Sequence, residues 1–271
     1  MQKLCEAICM PEPVTRQILA LEAGETCPDI RGLTREEEWD TALACVREAL
    51  GPDPDGIRML WCMLRCARDA WEKYEALGLS RQIYVDTMGC FSRFVREHME
   101  SYGCYGFDRA FWTVRQVSCK LFRIGELEYE LIMKDGKPAV SLHIPTDVRL
   151  EPERLRRSWE QAVEILTRTF PAYGNGPMVC HSWLLSPDLD GLLPMNSRIR
   201  LFQQSFGITA LDMPCQGVMQ WVFKNPKLQP EDYPEETSLQ RKLKNFLLAG
   251  NCFRDARGVL KADPFLTEQD R

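Results

Sequence analysis

The spacing of apolar residues changes period once along this chain. In the first 120 residues they recur at helical intervals: Val14, Ile18 and Leu19; then Trp39, Leu43, Val46 and Leu50; then Leu60, Leu64, Trp71 and Tyr74. Ile83, Tyr84, Met88, Phe91, Phe94, Val95 and Met99 continue the series, followed by Phe111, Trp112, Val114 and Val117. That interval lines one face of each helix with side chains for a core. The punctuation agrees. Thr34-Arg35-Glu36-Glu37 reads as a capping box, Gly51-Pro52 as a stop, Gly78 as a C-terminal cap, Gly103 and Gly106 as breaks, and Asp108 as the cap of a further helix.

At Leu121 the period shortens to nearly two. LFRIGELEYELIM and PAVSLHIP read as strands, and Lys134-Asp135-Gly136-Lys137 between extended runs is a hairpin signal. Residues 150–170 return to helix, with Pro152 in the first turn, acidic Glu151 and Glu153 at its positive end, and Leu155, Trp159, Ala162 and Leu166 on one face. An uncharged run at 178–185 predicts a buried strand. A Pro-marked loop and a helix opening at Asn196-Ser197 follow it, then a strand at 217–224, a Pro-rich acidic loop at 225–236, a helix at 237–249 and a small strand or hairpin in FRDARGVL. The fold class expected is α+β, with a helical domain over 1–120 and a second domain over 121–271. Trp39, Trp71, Trp112 and Trp159, at helical spacing, are expected in the core.

Composition narrows the function classes. A net charge of -5 supplies no basic footprint, so nucleic acid and anionic membrane are not expected partners. No apolar run approaches the roughly 20 residues of a membrane span. Glu6, Pro11, Glu12, Pro13 and Arg16 interrupt the first stretch, unlike a signal peptide, and a cytoplasmic location is expected. The twelve cysteines are scattered without a C-x-x-C pair and read as small core residues under reducing conditions. Cys62 and Cys66 are spaced to share a metal, but only three histidines exist to complete a ligand set, and no metal is expected.

Candidate chemistry concentrates at residues 177–206. Cys180-His181-Ser182 looks like a nucleophile beside an imidazole. In a strand, however, Cys180 and Ser182 share one face while His181 and Trp183 share the other, so His181 serves neither neighbour easily. A hydrogen-bonded structural histidine is the competing reading. His143 lies with Ala139 and Ser141 opposite an apolar face of Val140, Leu142 and Ile144, either as a general base lining a cleft or as an anchor for the Pro145-Thr146 turn. Asn196 and Ser197 are natural N-caps whose first-turn amides, with Arg198 and Arg200, can take a phosphate, although most capped helices carry no ligand.

Several segments together resemble bacterial GNAT-like acyltransferases with a helical N-terminal domain. They are Leu121-Phe122-Arg123-Ile124-Gly125 with Leu127 and Tyr129, Leu142-His143-Ile144-Pro145, Ser158 with Ala162, and the run from Cys180 to Pro187. Leu193-Pro194, Ser197 with Ile199, Phe202-Gln203, Phe206, Thr237-Ser238-Leu239-Gln240 and Ala249-Gly250 complete the series. The resemblance runs in order from 121 to about 260. It implies a GNAT-like mixed, mostly antiparallel sheet flanked by helices. It also implies an acyl-CoA co-substrate, acetyl-CoA or another, and a small-molecule or peptide amine acceptor that attacks the thioester directly. Two departures stand out. The usual Arg/Gln-x-x-Gly-x-Gly/Ala acyl-CoA loop is missing, and Arg198 replaces an expected asparagine.

In such folds a central strand splays from its neighbour, pairs with the pantetheine arm, and leads to a helix whose N-terminus receives the pyrophosphate. Carried over, residues 178–185 with Ser182, Trp183 and Leu184 would be that strand, and 217–224 its splayed neighbour. Asn196, Ser197, Arg198 and Arg200 would form the phosphate end, and His143 or His181 would be the base. Two other readings remain: a non-catalytic GNAT-like module binding acyl-CoA or a protein partner, and a cysteine hydrolase using Cys180.

Overall fold

The computed structural model describes residues 1–212, 217–224 and 228–265. The chain divides into two compact units, Met1–Ile124 and Gly125–Arg271. The first holds α1 (Gln2–Ala7), α2 (Glu12–Gly24), α3 (Trp39–Leu50), α4 (Ile57–Ala76), α5 (Arg81–Tyr102), α6 (Ala110–Val117) and β1 (Leu121–Ile124). Its core is Leu60, Trp61, Met63, Leu64, Phe91 and Val95, all fully buried. Buried polar tips are satisfied: Trp61 Nε1 donates to Glu22 Oε2 at 2.7 Å, and Tyr74 Oη to the Gln116 carbonyl at 2.9 Å. Ser80 caps α5 by accepting the Ile83 amide at 3.3 Å.

Three expectations fail here for local reasons. Thr34 ends a 3-10 turn and its hydroxyl donates to the Arg31 carbonyl at 3.2 Å, so it caps nothing, and α3 begins only at Trp39. Asp108 pairs with Arg109, and α6 opens at Ala110 without a side-chain cap. The tryptophans expected in the core, Trp39, Trp71, Trp112 and Trp159, are half-buried, while Trp61 is sealed.

The remaining elements are β2 (Leu127–Lys134), β3 (Lys137–His143), α7 (Pro152–Thr169), α8 (Pro171–Gly174), β4 (Met178–Ser182), α9 (Arg198–Gln204), β5 (Phe206–Asp212), α10 (Gly217–Val222), α11 (Ser238–Leu248) and β6 (Asp255–Leu260). Strands β2 to β6 form one mixed sheet, in the order β2-β3-β4-β6-β5. β2 and β3 are antiparallel around Asp135 (φ 51) and Gly136 (φ 75), the two left-handed residues of a type I′ turn. β3 and β4 are parallel, and β6 is antiparallel to both β4 and β5. Helix α7 packs on the face carrying Leu127, Tyr129, Leu131, Val140 and Leu142, each at most 5% exposed. Ser158 of α7 meets that face, its Oγ lying 3.1 Å from Tyr129 Oη and 3.2 Å from the Leu127 amide.

The segment expected as a strand at 217–224 is a helix over its first six residues. Val218, Met219, Val222 and Phe223 are spaced for a helix face and join a cluster with Leu189, Leu192, Tyr233, Leu243 and Phe253. Phe223 and Tyr233 stack at 4.0 Å, and Gln240 Nε2 donates to the Val222 carbonyl at 2.9 Å. The strand expected through residue 185 stops at Ser182. There Ser182 Oγ accepts the Leu184 amide at 3.2 Å and turns Trp183–Leu185 into a 3-10 helix. β5 has no counterpart in the sequence reading.

Candidate functional site

Among the described residues of the second unit one adjacent pair of strands is parallel, and its ladder is short. Val140 pairs with Met178 and Ser141 with Val179. β3 then runs on for two residues and β4 for three, with no further pairing between them among the described residues. Each stays bonded on its outer side, Leu142 and His143 to β2, and Cys180, His181 and Ser182 to β6. Two strands that separate after pairing leave polar backbone edges facing a gap in mid-sheet, a natural seat for an extended polar ligand.

Register decides what flanks that gap. Three residues beyond the paired Val140 stands His143, and three beyond Met178 stands His181, so the two imidazoles lie on the same face of the sheet. Each has a carboxylate. His143 Nε2 is 2.8 Å from Glu130 Oε2, and Glu128 and Glu130 share its face through the β2–β3 register. His181 Nε2 is 3.0 Å from Asp212 Oδ2, the oxygen that Arg257 Nε also reaches at 2.7 Å. The His181 side chain is 50% exposed and that of His143 only 23%.

Cys180 points the other way. It is buried, and burial pushes its thiol well above the ordinary range, which removes the thiolate a cysteine hydrolase needs. Cys62 and Cys66 are likewise buried; Cys62 Sγ lies 4.0 Å from Cys27 Sγ, and burial pushes the Cys66 thiol up to about 12. Among the described residues no three His, Cys, Asp or Glu side chains are placed to hold a metal.

The helix starts that follow the two parted strands adjoin each other. Arg198 at the start of α9 is 3.3 Å from Glu151, the N-cap residue of α7. Ser197 caps α9 by accepting the Arg200 amide at 3.3 Å, and α9 is only seven residues long. Helix α7 is 18 residues long and no side chain caps its first amides. Asn196 is exposed ahead of Ser197. Arg200 is buried, its guanidinium engaged by Asp190 and Gln203, and Gln203 Nε2 donates to the carbonyls of Leu185 and Ser186 at 2.9 and 2.7 Å. Trp183 and Leu184 sit in the turn after β4, where Leu184 is buried.

Of the sequence candidates, the fold thus brings His143, His181 and Ser182 to the gap and sets Arg198 beside α7, while Arg200 is directed inward. Glu130, Asp212 and Arg257 escaped the sequence reading because their link to the histidines is cross-strand. The period-two alternation of β2 was the only available signal, and it placed Glu128 and Glu130 together.

The GNAT-like C-terminal domain matches residues 121–260, and the N-acyltransferase N-terminal domain matches residues 1–119. No curated protein matches. Among solved structures, an acyltransferase in complex with decanoyl-CoA and teicoplanin aligns with a TM-score of 0.81 at 20% identity, covering 96% of this chain and 87% of that one. A mutant acyltransferase in complex with octanoyl-CoA aligns at 0.79 and 21% identity, over 96% of this chain and 86% of that one. A third, in complex with CoA and 10C-teicoplanin, aligns at 0.72 and 20% identity over 96% and 99%. The chain belongs to the acyltransferase family defined by this GNAT-like C-terminal domain, preceded by an N-acyltransferase N-terminal domain.

Proposed function

We propose that this chain transfers an acyl group from acyl-CoA to an amine acceptor by direct attack on the thioester. The observation that carries this reading is the parallel pair that separates after two residue pairs, with a histidine–carboxylate pair on each parting strand. In this reading the pantetheine arm lies in the gap, bonded to the backbone edges of β3 and β4. The pyrophosphate sits at the uncapped start of α7, with Arg198 adding charge, since α9 is short and Ser197 already occupies one of its amides. His143, oriented by Glu130, takes the proton of the attacking amine. The acyl complexes of the structural neighbours add octanoyl and decanoyl donors to the acetyl group expected from the sequence.

The test is calorimetric titration with acetyl-, octanoyl- and decanoyl-CoA, followed by thiol-release assays with hexylamine, glucosamine and glycinamide as acceptors. Binding of at least one donor with amine-dependent thiol release is expected. No binding of any donor at millimolar concentration sinks the acyl-CoA reading. Binding without transfer to any amine leaves a non-catalytic acyl-CoA module, the alternative raised by the sequence.

A further inference from the structure

Amide formation from a thioester needs two proton transfers, one off the attacking amine and one onto the departing sulfur. The gap is flanked by two imidazoles whose surroundings differ. His143 shares its face with Glu128 and Glu130. His181 stands directly opposite Arg257 across the β4–β6 ladder, and both reach the one Asp212 oxygen; Asp255, opposite Asp212 in the β5–β6 ladder, is the other charged group at that end. Arg257 thus stands as a cation beside His181. A cation at that place steadies a departing anion. The half-exposed ring is also open to reprotonation from water, and Nε2 on Asp212 leaves Nδ1 for the substrate.

We propose, resting on the acyl-CoA reading above, that His181 in its imidazolium form is the general acid for the CoA thiolate. The amine nitrogen forms a bond to the thioester carbon, and the carbonyl electron pair moves to oxygen. The amine proton passes to His143. The carbonyl re-forms, the C–S bond breaks with its electron pair going to sulfur, and His181 Nδ1–H delivers a proton there. The products are the amide and free CoA thiol. Solvent then returns a proton to His181 and removes one from His143. Arg257 assists by its charge, and Asp212 positions the ring.

The experiment compares octanoyl-CoA with an octanoyl nitrothiophenyl ester, whose thiolate leaves without protonation, using the amine that the wild type acylates best. His181→Gln is expected to slow transfer from octanoyl-CoA about 10²-fold, and transfer from the aryl thioester at least tenfold less than that. His143→Gln is expected to slow both donors alike. Asp212→Asn, which keeps the side-chain shape, should show the donor selectivity of His181→Gln in weaker form, and thermal melts of each variant report folding. Equal losses on both donors for His181→Gln, or no loss on octanoyl-CoA, overturn the assignment while the acyl-CoA reading stands. A wild type that transfers from neither donor overturns both.

Discussion

Ser158 shows how one side chain fixes the helix that covers the sheet. Its hydroxyl serves both Tyr129 Oη and the Leu127 amide, groups buried away from water. Ser158→Ala leaves them short of a partner, and a loss of about 1–3 kcal/mol is expected in urea unfolding. Gly125 makes the complementary argument: its φ is +64, and an added Cβ would stand 3.0 Å from Ser158 Cβ. Gly125→Ala is therefore expected to destabilise by about 1–3 kcal/mol, and a neutral result would show that the turn relaxes. The thiols divide by burial. Brief alkylation followed by mass spectrometry should modify the exposed Cys9, Cys45, Cys104 and Cys252 and spare Cys180, Cys62 and Cys66 until denaturant is added. Rapid labelling of Cys180 in the folded chain would contradict its burial.

Among the elements, α10 and α11 carry the clearest contrast between local and distant causes. Helix α11 is written into its sequence: Thr237 accepts the Gln240 amide at 3.1 Å, and Gln240 Oε1 accepts the Thr237 amide at 2.9 Å, a complete capping box. Thr237→Ala should cost about 1 kcal/mol in the chemical denaturation midpoint, and no change would mean that packing alone holds the helix start. Segment 217–224 has an apolar run that suits a buried strand or a helix equally well, and its partners come from residues 189, 192, 233, 243 and 253. Such a segment cannot be decided from its own residues. β5 was illegible for the opposite reason. It is an edge strand exposed from Gly207 to Leu211, with a register shift between Ile208 and Ala210, so no inward alternation marks it.

For the molecule as a whole, the clearest acid-sensitive link joins distant parts of the second unit. Asp188 accepts from Arg254 Nε at 3.0 and 3.2 Å and from the Arg254 amide at 3.0 Å. The guanidinium hydrogen bonds hold its carboxyl below the usual aspartate range; burial opposes them and the amide adds to them. A depressed folded-state pKa stabilises above the ordinary value and loses that contribution as pH falls through the folded one. Asp188→Asn should thus lower stability near pH 6 by about 1 kcal/mol, allowing for the part-exposed arginine, and shrink the fall in unfolding free energy between about pH 6 and pH 3. An unchanged pH dependence would assign the acid transition to other carboxylates. No helix among the described residues is long and apolar enough to cross a membrane.

The sequence by itself determined the helical succession of the first 120 residues, the switch to strands at Leu121, the Asp135-Gly136 hairpin and the α+β class, because periodicity, caps and turn residues act over a few positions. It also placed Cys180 and His181 on opposite faces, which the burial of one and exposure of the other bears out. The tertiary structure alone decided which strand lies beside β4. Its parallel neighbour is β3, nearly forty residues earlier, and β6 lies on its other side, whereas the segment expected beside it is a helix. It alone decided that His143 and His181 stand at equivalent positions with Glu130 and Asp212 against them. Parallel pairing is a long-range choice, made when a whole helix has crossed over the sheet, and no local pattern in the strands records its register.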